Sequence, residues 1–212
     1  MADQIAAAIR DSIASGKLPP GMHLLEVEVA REMQTSRIPV REALMQLERE
    51  GLVVRAPNRG TFVAELTEKM VREVSSLRGL LEGYAAGRAA RRLTEADFTH
   101  LEALIKEMSA AAEAGNFSHV LECDYAFHRY VIHAAGHDLL EEVWANTDKK
   151  IRVYLSATNL MRTDLQSIAE SHKATLEALR ARDPERAKRA TTKHIHESLD
   201  PLVTRILSTI RK

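Results

Sequence analysis

Asp124 and His128 stand four residues apart on one helical stripe with Phe117, Val120, Leu121 and Val131. His172 falls between Ile168 and Leu176 on a second inward stripe, and His194 follows Ala187 and Ala190 at helical spacing. A carboxylate and three imidazoles thus occupy positions where apolar side chains are expected. Burying them without partners would cost on the order of several kcal/mol. A divalent cation satisfies all of them together. An Asp–His pair one helical turn apart chelates from one face, and two more imidazoles complete the set. One or two positions of a five- or six-coordinate ion then stay open for water or a ligand carboxylate. His196 competes with His194, because the later stripe of Leu199, Leu202 and Ile206 drifts toward it, so periodicity leaves the two open. His23, His100, His119, His133 and His137 lack this pattern and are expected at the surface or behind the ligands.

A second constellation lies earlier. Arg37 and Arg41 are one helical turn apart, while Val40, Leu44 and Leu47 make the apolar face of the same segment. Two guanidinium forks at the start of a helix suit the major groove, where each can grip guanine O6/N7 or a phosphate. The plainer reading pairs them with Glu42, Glu48 or Glu50 as solvated surface charges. Asn58, Arg59 and Gly60 fall at a Pro-Asn-Arg-Gly turn between two β-prone runs, a tip able to approach DNA closely.

These residues need elements to hold them. The pattern predicts helices over about 3–15, 26–33 and 37–50, with Ser36 as N-cap, Pro39 in the first turn and Gly51 as terminator. Strands over 52–55 and 61–64 form a hairpin. Helix, short helix, turn, helix and hairpin is the order of a winged helix-turn-helix. From Thr67 onward helical spacing dominates, with Met70, Val74, Leu77 and Leu81 as the first stripe. Thr94 and Asp97 form a capping box, and Asp183-Pro184 starts the last helix. The expected architecture is mainly α: a winged helix-turn-helix over 1–66 and an antiparallel helical bundle over 67–212.

Composition narrows the class. The chain has 212 residues, with 30 Lys+Arg balancing 30 Asp+Glu, and aromatics at only 4%, which favours packed helices over a β-sandwich. One Cys excludes an intrachain disulfide and a thiolate-only metal cluster, and it fits a reducing compartment. No apolar run is long enough to span a membrane, and the first residues lack the form of a signal peptide, so a cytoplasmic protein with no membrane partner is expected. Zero net charge argues mildly against a nucleic-acid partner. Yet from Thr35 to Gly60 five Arg face three Glu, so the overall balance conceals a local Arg-only set of cations.

The segments GKLPPG, SRIPVREAL, LEREGL and NRGTFV occur in that order, and over residues 5–66 they resemble the DNA-binding signature of the GntR superfamily of bacterial transcription regulators. The resemblance implies operator contacts from Arg37 and Arg41, and wing contacts near Asn58, Arg59 and Gly60. Ile38 stands where relatives often carry Thr, so a hydroxyl contact would be missing. Over about 70–205, DYAFHRYVIHAAGHDLL and ESHKATLEALRARDPERAKRATTKHI resemble the FadR-type effector domain called FCD. In metal-binding members one Asp and three His hold a divalent ion. The equivalents are Asp124, His128, His172 and His194, which favours His194 over His196. His137 replaces a common Asn, which bears on helix capping or the pocket wall.

The resemblance further implies a small carboxylic acid effector held at the metal with help from a cation. Arg78 matches an Arg of the first effector helix, and Arg152, Asn159 and Tyr84 are weaker pocket candidates. Zinc is the first expectation for the ion, with nickel, manganese or iron behind it. The expected protein is a homodimeric repressor on double-stranded operator DNA, its first effector helix carrying ligand-driven shifts toward the wing. Two alternatives remain: a metal-dependent enzyme, or a direct metal sensor without organic ligand. The enzyme would need a general acid or base beside the metal, and no Glu is expected on an inward stripe there.

Overall fold

The computed structural model describes residues 1–57, 59–65, 67–158 and 164–210, without the side chains of 14, 149–158, 201, 202 and 205–210. The chain divides into two compact units, Met1–Thr67 with Lys149–Asn159, and Glu68–Asp148 with Leu160–Lys212.

The first unit opens with helix α1 (Ala2–Ala14), strand β1 (His23–Leu24), α2 (Glu26–Glu32) and α3 (Arg37–Arg49), followed by β2 (Val53–Ala56) and β3 (Gly60–Val63). Ile5, Ile9 and Ile13 of α1 bury one stripe against Val40, Ala43, Leu44 and Leu47 of α3. That is the consequence of two helical periodicities meeting. Gly51, with φ +76°, ends α3 in the left-handed conformation that glycine adopts freely. Ser36 stands at the N-cap but its hydroxyl makes no capping bond. The hairpin forms as expected, each strand displaced by one residue toward the turn, with Val54 facing Phe62 and Ala56 facing Gly60. The third strand, β1, is too short to read from the sequence. It pairs antiparallel with β3, His23 against Phe62, in the order β1-β3-β2.

The second unit is built from α4 (Glu68–Ala89), α5 (Glu95–Glu113), α6 (Phe117–Ala134), α7 (Asp138–Thr158, which continues beyond this unit), α8 (Leu165–Arg180) and α9 (Pro184–Ile210). The architecture is mainly α, a winged helix-turn-helix followed by a helical bundle. Side chains fix most helix starts. Thr94 and Asp97 exchange both capping-box bonds, and Asn116 accepts from the His119 amide. Asp164 accepts from the Ser167 amide, and Asp183 accepts from the amides of Glu185 and Arg186. His137 accepts from the Leu140 amide at 3.3 Å, so it caps α7. No described helix is long and apolar enough to cross a membrane.

The buried face of α4 differs from the expected Met70–Val74–Leu77–Leu81 stripe. It is Val71, Val74, Arg78, Glu82, Ala85 and Ala89, with Leu77 turned outward. An Arg and a Glu on the inner face displaced the apolar reading by a residue. Gly79, Gly83 and Gly87 stand one turn apart on α4 and let α9 lie close. A Cβ on Gly83 would strike the Thr192 hydroxyl and come within 3.3 Å of the Lys188 carbonyl. Gly83→Val is therefore expected to lower the melting temperature by several degrees, from about 1–3 kcal/mol of overpacking. An unchanged melting curve by circular dichroism would refute this account of the α4–α9 contact.

Candidate DNA-reading helix and metal centre

On α3 Val40, Ala43, Leu44 and Leu47 are fully buried, while Arg37, Ile38 and Arg41 face solvent. Both guanidinium groups converge on Glu26, the first residue of α2. Arg41 Nε and Nη2 donate to its two oxygens at 3.1 and 2.9 Å, and Arg37 Nη2 donates at 3.0 Å. Their hydrogen bonds hold the Glu26 carboxyl down at about 2, the one from Arg41 contributing most. Glu48 instead pairs with Arg55, and Glu50 with Arg10. The partner of the two Arg is thus Glu26, not the Glu42, Glu48 or Glu50 that proximity in sequence suggested. At the hairpin turn, Arg59 lies over the Phe62 ring at 6.0 Å, and His23 stacks on the ring's other neighbourhood at 4.6 Å. Gly60 has φ +101°, and a Cβ there would collide with His23. Asn58 lies outside the described residues.

In the second unit three helices bring imidazoles together. His128 of α6, His172 of α8 and His194 of α9 are all buried. His128 Nε2 lies 3.2 Å from His172 Nε2 and 3.3 Å from His194 Nε2. Asp124 Oδ1 is 3.3 Å from His172 Nε2 and 3.7 Å from His128 Nε2. His196 is exposed and lies against Gly79, away from this cluster.

The other ring nitrogens decide where hydrogens sit. His172 Nδ1 is 2.7 Å from the Ile168 carbonyl, which only accepts, so Nδ1 carries the hydrogen. His128 Nδ1 is 2.7 Å from Glu82 Oε2, an ion-pair contact that places the carboxylate beside this nitrogen. Both rings therefore aim Nε2 at the shared centre. Burial opposes a charge on His128, but Glu82 and Asp124 outweigh it and lift the group to about 9. Burial, then the neighbouring His172 and His128, push His194 well down, so it stays neutral. Burial opposes ionisation of Asp124 as well, yet the neighbouring His128 and His172 keep it well below the usual carboxylate range.

The donor set fits a divalent cation. At metal–nitrogen distances of about 2.0–2.1 Å, tetrahedral ligands lie roughly 3.3 Å apart. The spacings of 3.2 and 3.3 Å among the imidazoles match this. His194 Nδ1 is buried without a hydrogen-bond partner, as are the hydroxyls of Thr175 and Thr191. Both threonines line a narrow gap beside His128, together with Phe127, Val131 and Ile132.

Comparison with known proteins joins the two sites. The description "Bacterial regulatory proteins, gntR family" matches residues 1–63, and "FCD domain" matches residues 73–197. The chain is 33% identical over 195 residues to the "Probable D-xylose utilization operon transcriptional repressor" of Paenarthrobacter nicotinovorans, covering 90% of this chain and 85% of that one.

The chain belongs to the GntR family.

It is a DNA-binding transcription regulator with an FCD domain. It is also 31% identical to the HTH-type transcriptional repressor RspR of Escherichia coli K12, across 92% of this chain and 85% of the relative. Among solved structures, E. coli McbR/YncC superposes with a TM-score of 0.73 at 23% identity, covering 96% of this chain and 97% of that chain, a likeness of fold.

Two residues of this GntR regulator escaped sequence reading. Glu26 was hidden because its partners are eleven and fifteen residues away, across a turn. Glu82 was hidden by the displaced stripe of α4, and it contradicts the expectation that no inward Glu lies near the ligands. Its Oε1 accepts from Arg78 Nε at 2.6 Å and from the Trp144 indole at 2.8 Å. Burial would raise Glu82, but Arg78 and His128 hold it at about 2, a fixed anion rather than a proton shuttle. The Arg78-x-x-x-Glu82 spacing beside Gly79 and Gly83 was the available signal. Arg78 itself is buried, with Nη1 3.3 Å from Asp148. Burial opposes its charge, and Glu82 and Asp148 retain it. Tyr84 is exposed and meets His137 edge-on. The Arg152 side chain and all of Asn159 lie outside the described residues.

Because Glu26 offsets two cations on the α3 surface, Glu26→Gln should strengthen binding to an unrelated duplex at low salt, on the order of threefold. Fluorescence anisotropy with a scrambled duplex measures it, and an unchanged affinity would mean that the pair does not restrain these cations.

Proposed function

We propose that this GntR regulator is a homodimeric repressor that reads a palindromic operator through Arg37, Arg41, Asn58, Arg59 and Gly60. In this reading residues 1–66 bind DNA and residues 67–212 sense the effector and dimerise. The effector is a small carboxylic acid taken up beside a divalent cation, zinc first, held by Asp124, His128, His172 and His194.

The observation that carries the sensing half is the convergence of three buried Nε2 atoms, two of them on rings whose Nδ1 is already engaged elsewhere. A cation there supplies a Lewis-acid point for a carboxylate group. Glu82 orients His128, the Ile168 carbonyl orients His172, and Asp124 adds the negative charge. Arg78 serves by keeping Glu82 ionised, with Arg152 and Asn159 as candidates for the acid itself. Glu82, held by donors from Arg78 and Trp144 and paired with His128, is poorly suited to the proton transfers an enzyme would need.

Repression is extended from the relatives' names. Pairing of two copies is supported by exposed apolar side chains, Leu77, Leu80 and Tyr84 on α4 with Leu139 and Val143 on α7. The Tyr84–His137 contact joins them into one patch of the kind that marks an interface. A two-fold pair presents two copies of α3 to two half-sites.

Arg41→Ala should reduce operator affinity at least about tenfold, through loss of a bidentate contact worth roughly 1–3 kcal/mol. Retained affinity in a gel-shift titration, with an unchanged circular dichroism spectrum, would overturn the docking. His172→Ala should lower bound metal by one equivalent per chain in elemental analysis. In the full-length protein, small carboxylates should then release operator DNA only when the cation site is filled. Release by metal alone would select the direct-sensor reading, and sustained turnover of a candidate acid would select the enzyme.

A further inference from the structure

A second group of metal-ligating side chains lies on another face of α6, away from the three-histidine centre. His119 and Cys123 are one turn apart on α6, and Glu107 reaches them from α5. His119 Nε2 is 2.9 Å from Glu107 Oε1 and 4.0 Å from Cys123 Sγ. Its Nδ1 is 3.2 Å from Glu122 Oε2. All three donor atoms, from Glu107, His119 and Cys123, lie within 4.8 Å of one another.

We propose that Glu107, His119 and Cys123 form a second site, one that takes a thiophilic divalent cation such as zinc. Three features argue for a site over a chance surface ion pair. The donors are a thiol, an imidazole and a carboxylate, the set that zinc accepts with water in fourth place. A tetrahedral ion with a nitrogen ligand at about 2.0 Å and a sulfur ligand at about 2.3 Å needs them roughly 3.6 Å apart, and nitrogen and carboxylate oxygen roughly 3.3 Å apart. The observed 4.0 and 2.9 Å each require an adjustment of about half an ångström or less. Glu122 holds the far nitrogen of His119, which is the carboxylate–histidine–metal arrangement that fixes ring orientation in metal sites.

The framework is also stiff where it matters. The Asn116 side chain caps α6 on the His119 amide at 3.2 Å. Cys123 is buried beside Met108, Ala111 and Val120, so its sulfur cannot wander. Glu107 and His119 are exposed enough to admit an ion from solvent. On binding, the cation replaces one proton on Sγ and one on Nε2, both released to water, with no change of oxidation state.

Cobalt(II) is the probe, because only a sulfur ligand gives a thiolate-to-cobalt charge-transfer band and the chain has one Cys. Chelator-stripped full-length protein should take up two equivalents of cobalt per chain, one with that band. Cys123→Ser should abolish the band and remove one equivalent while leaving the other. His119→Ala, an exposed change that should not disturb folding, should weaken the band-forming step at least about tenfold. Glu122→Gln should keep the band but shift its titration by about tenfold. Absence of the band at cobalt concentrations that fill the Asp124 centre would overturn the proposal. So would a band indifferent to His119→Ala.

Discussion

Glu82 receives hydrogen bonds from Arg78 and Trp144 on one oxygen and lies against His128 with the other, tying α4, α6 and α7 together inside a dry core. Nothing about stability requires this. Buried ion pairs often contribute no more than well-packed apolar residues of the same volume, because each charge loses its water. What the arrangement supplies is direction. A carboxylate fixed by two other donors fixes the tilt of the His128 ring, and that tilt aims Nε2 at His172 and His194. An apolar residue at position 82 alone would cost the buried Arg78 its closest anion and the His128 ring its anchor.

The DNA-reading unit uses the same chemistry with the opposite emphasis. Its ion pairs are exposed, so Glu26 holds Arg37 and Arg41 with little energetic consequence. Holding them still has an effect. Two long cations anchored to one carboxylate lose rotamer freedom before DNA arrives, and their charge is screened until a base edge or phosphate competes with Glu26. This explains how a chain of zero net charge can bind DNA without a basic surface. Attraction at a distance stays weak, and discrimination falls to a few placed forks.

The sequence made some levels legible and left others hidden, for physical reasons. Capping boxes, Asp-Pro starts and isoleucine stripes act within a few residues, so α1, α5 and α9 could be drawn from the letters alone. The four polar intruders on apolar stripes could be found because each sat on a helix whose other inward residues were apolar. On α4 that rule failed, since the inward face holds Arg78, Glu82 and glycines, and hydrophobic periodicity selects the neighbouring face that carries Leu77. Of His194 and His196, it is His194 that meets His128, while His196 lies in the room left by the missing side chain of Gly79. β1 is stabilised by its pairing with β3 and has almost no local signal.

The close α4–α9 contact constrains how a signal could leave the cation centre. Under the proposed function, a carboxylate arriving there would act on side chains that are already committed, since His128 pairs with Glu82 and Glu82 is hydrogen-bonded to Arg78. Any change in the His128 ring is therefore shared by α4. That helix cannot tilt toward α9, because at Gly83 and Gly87 the α9 backbone stands where a Cβ would be, and at Gly79 the His196 ring does. Sliding or rotation along the glycine stripe is the remaining freedom, and a packed interface tends to have discrete settings rather than a continuum. α4 begins at Glu68, five residues after the last residue of β3. Under the proposed function, an acid alters DNA affinity only to the extent that it binds one setting of α4 more tightly than the other.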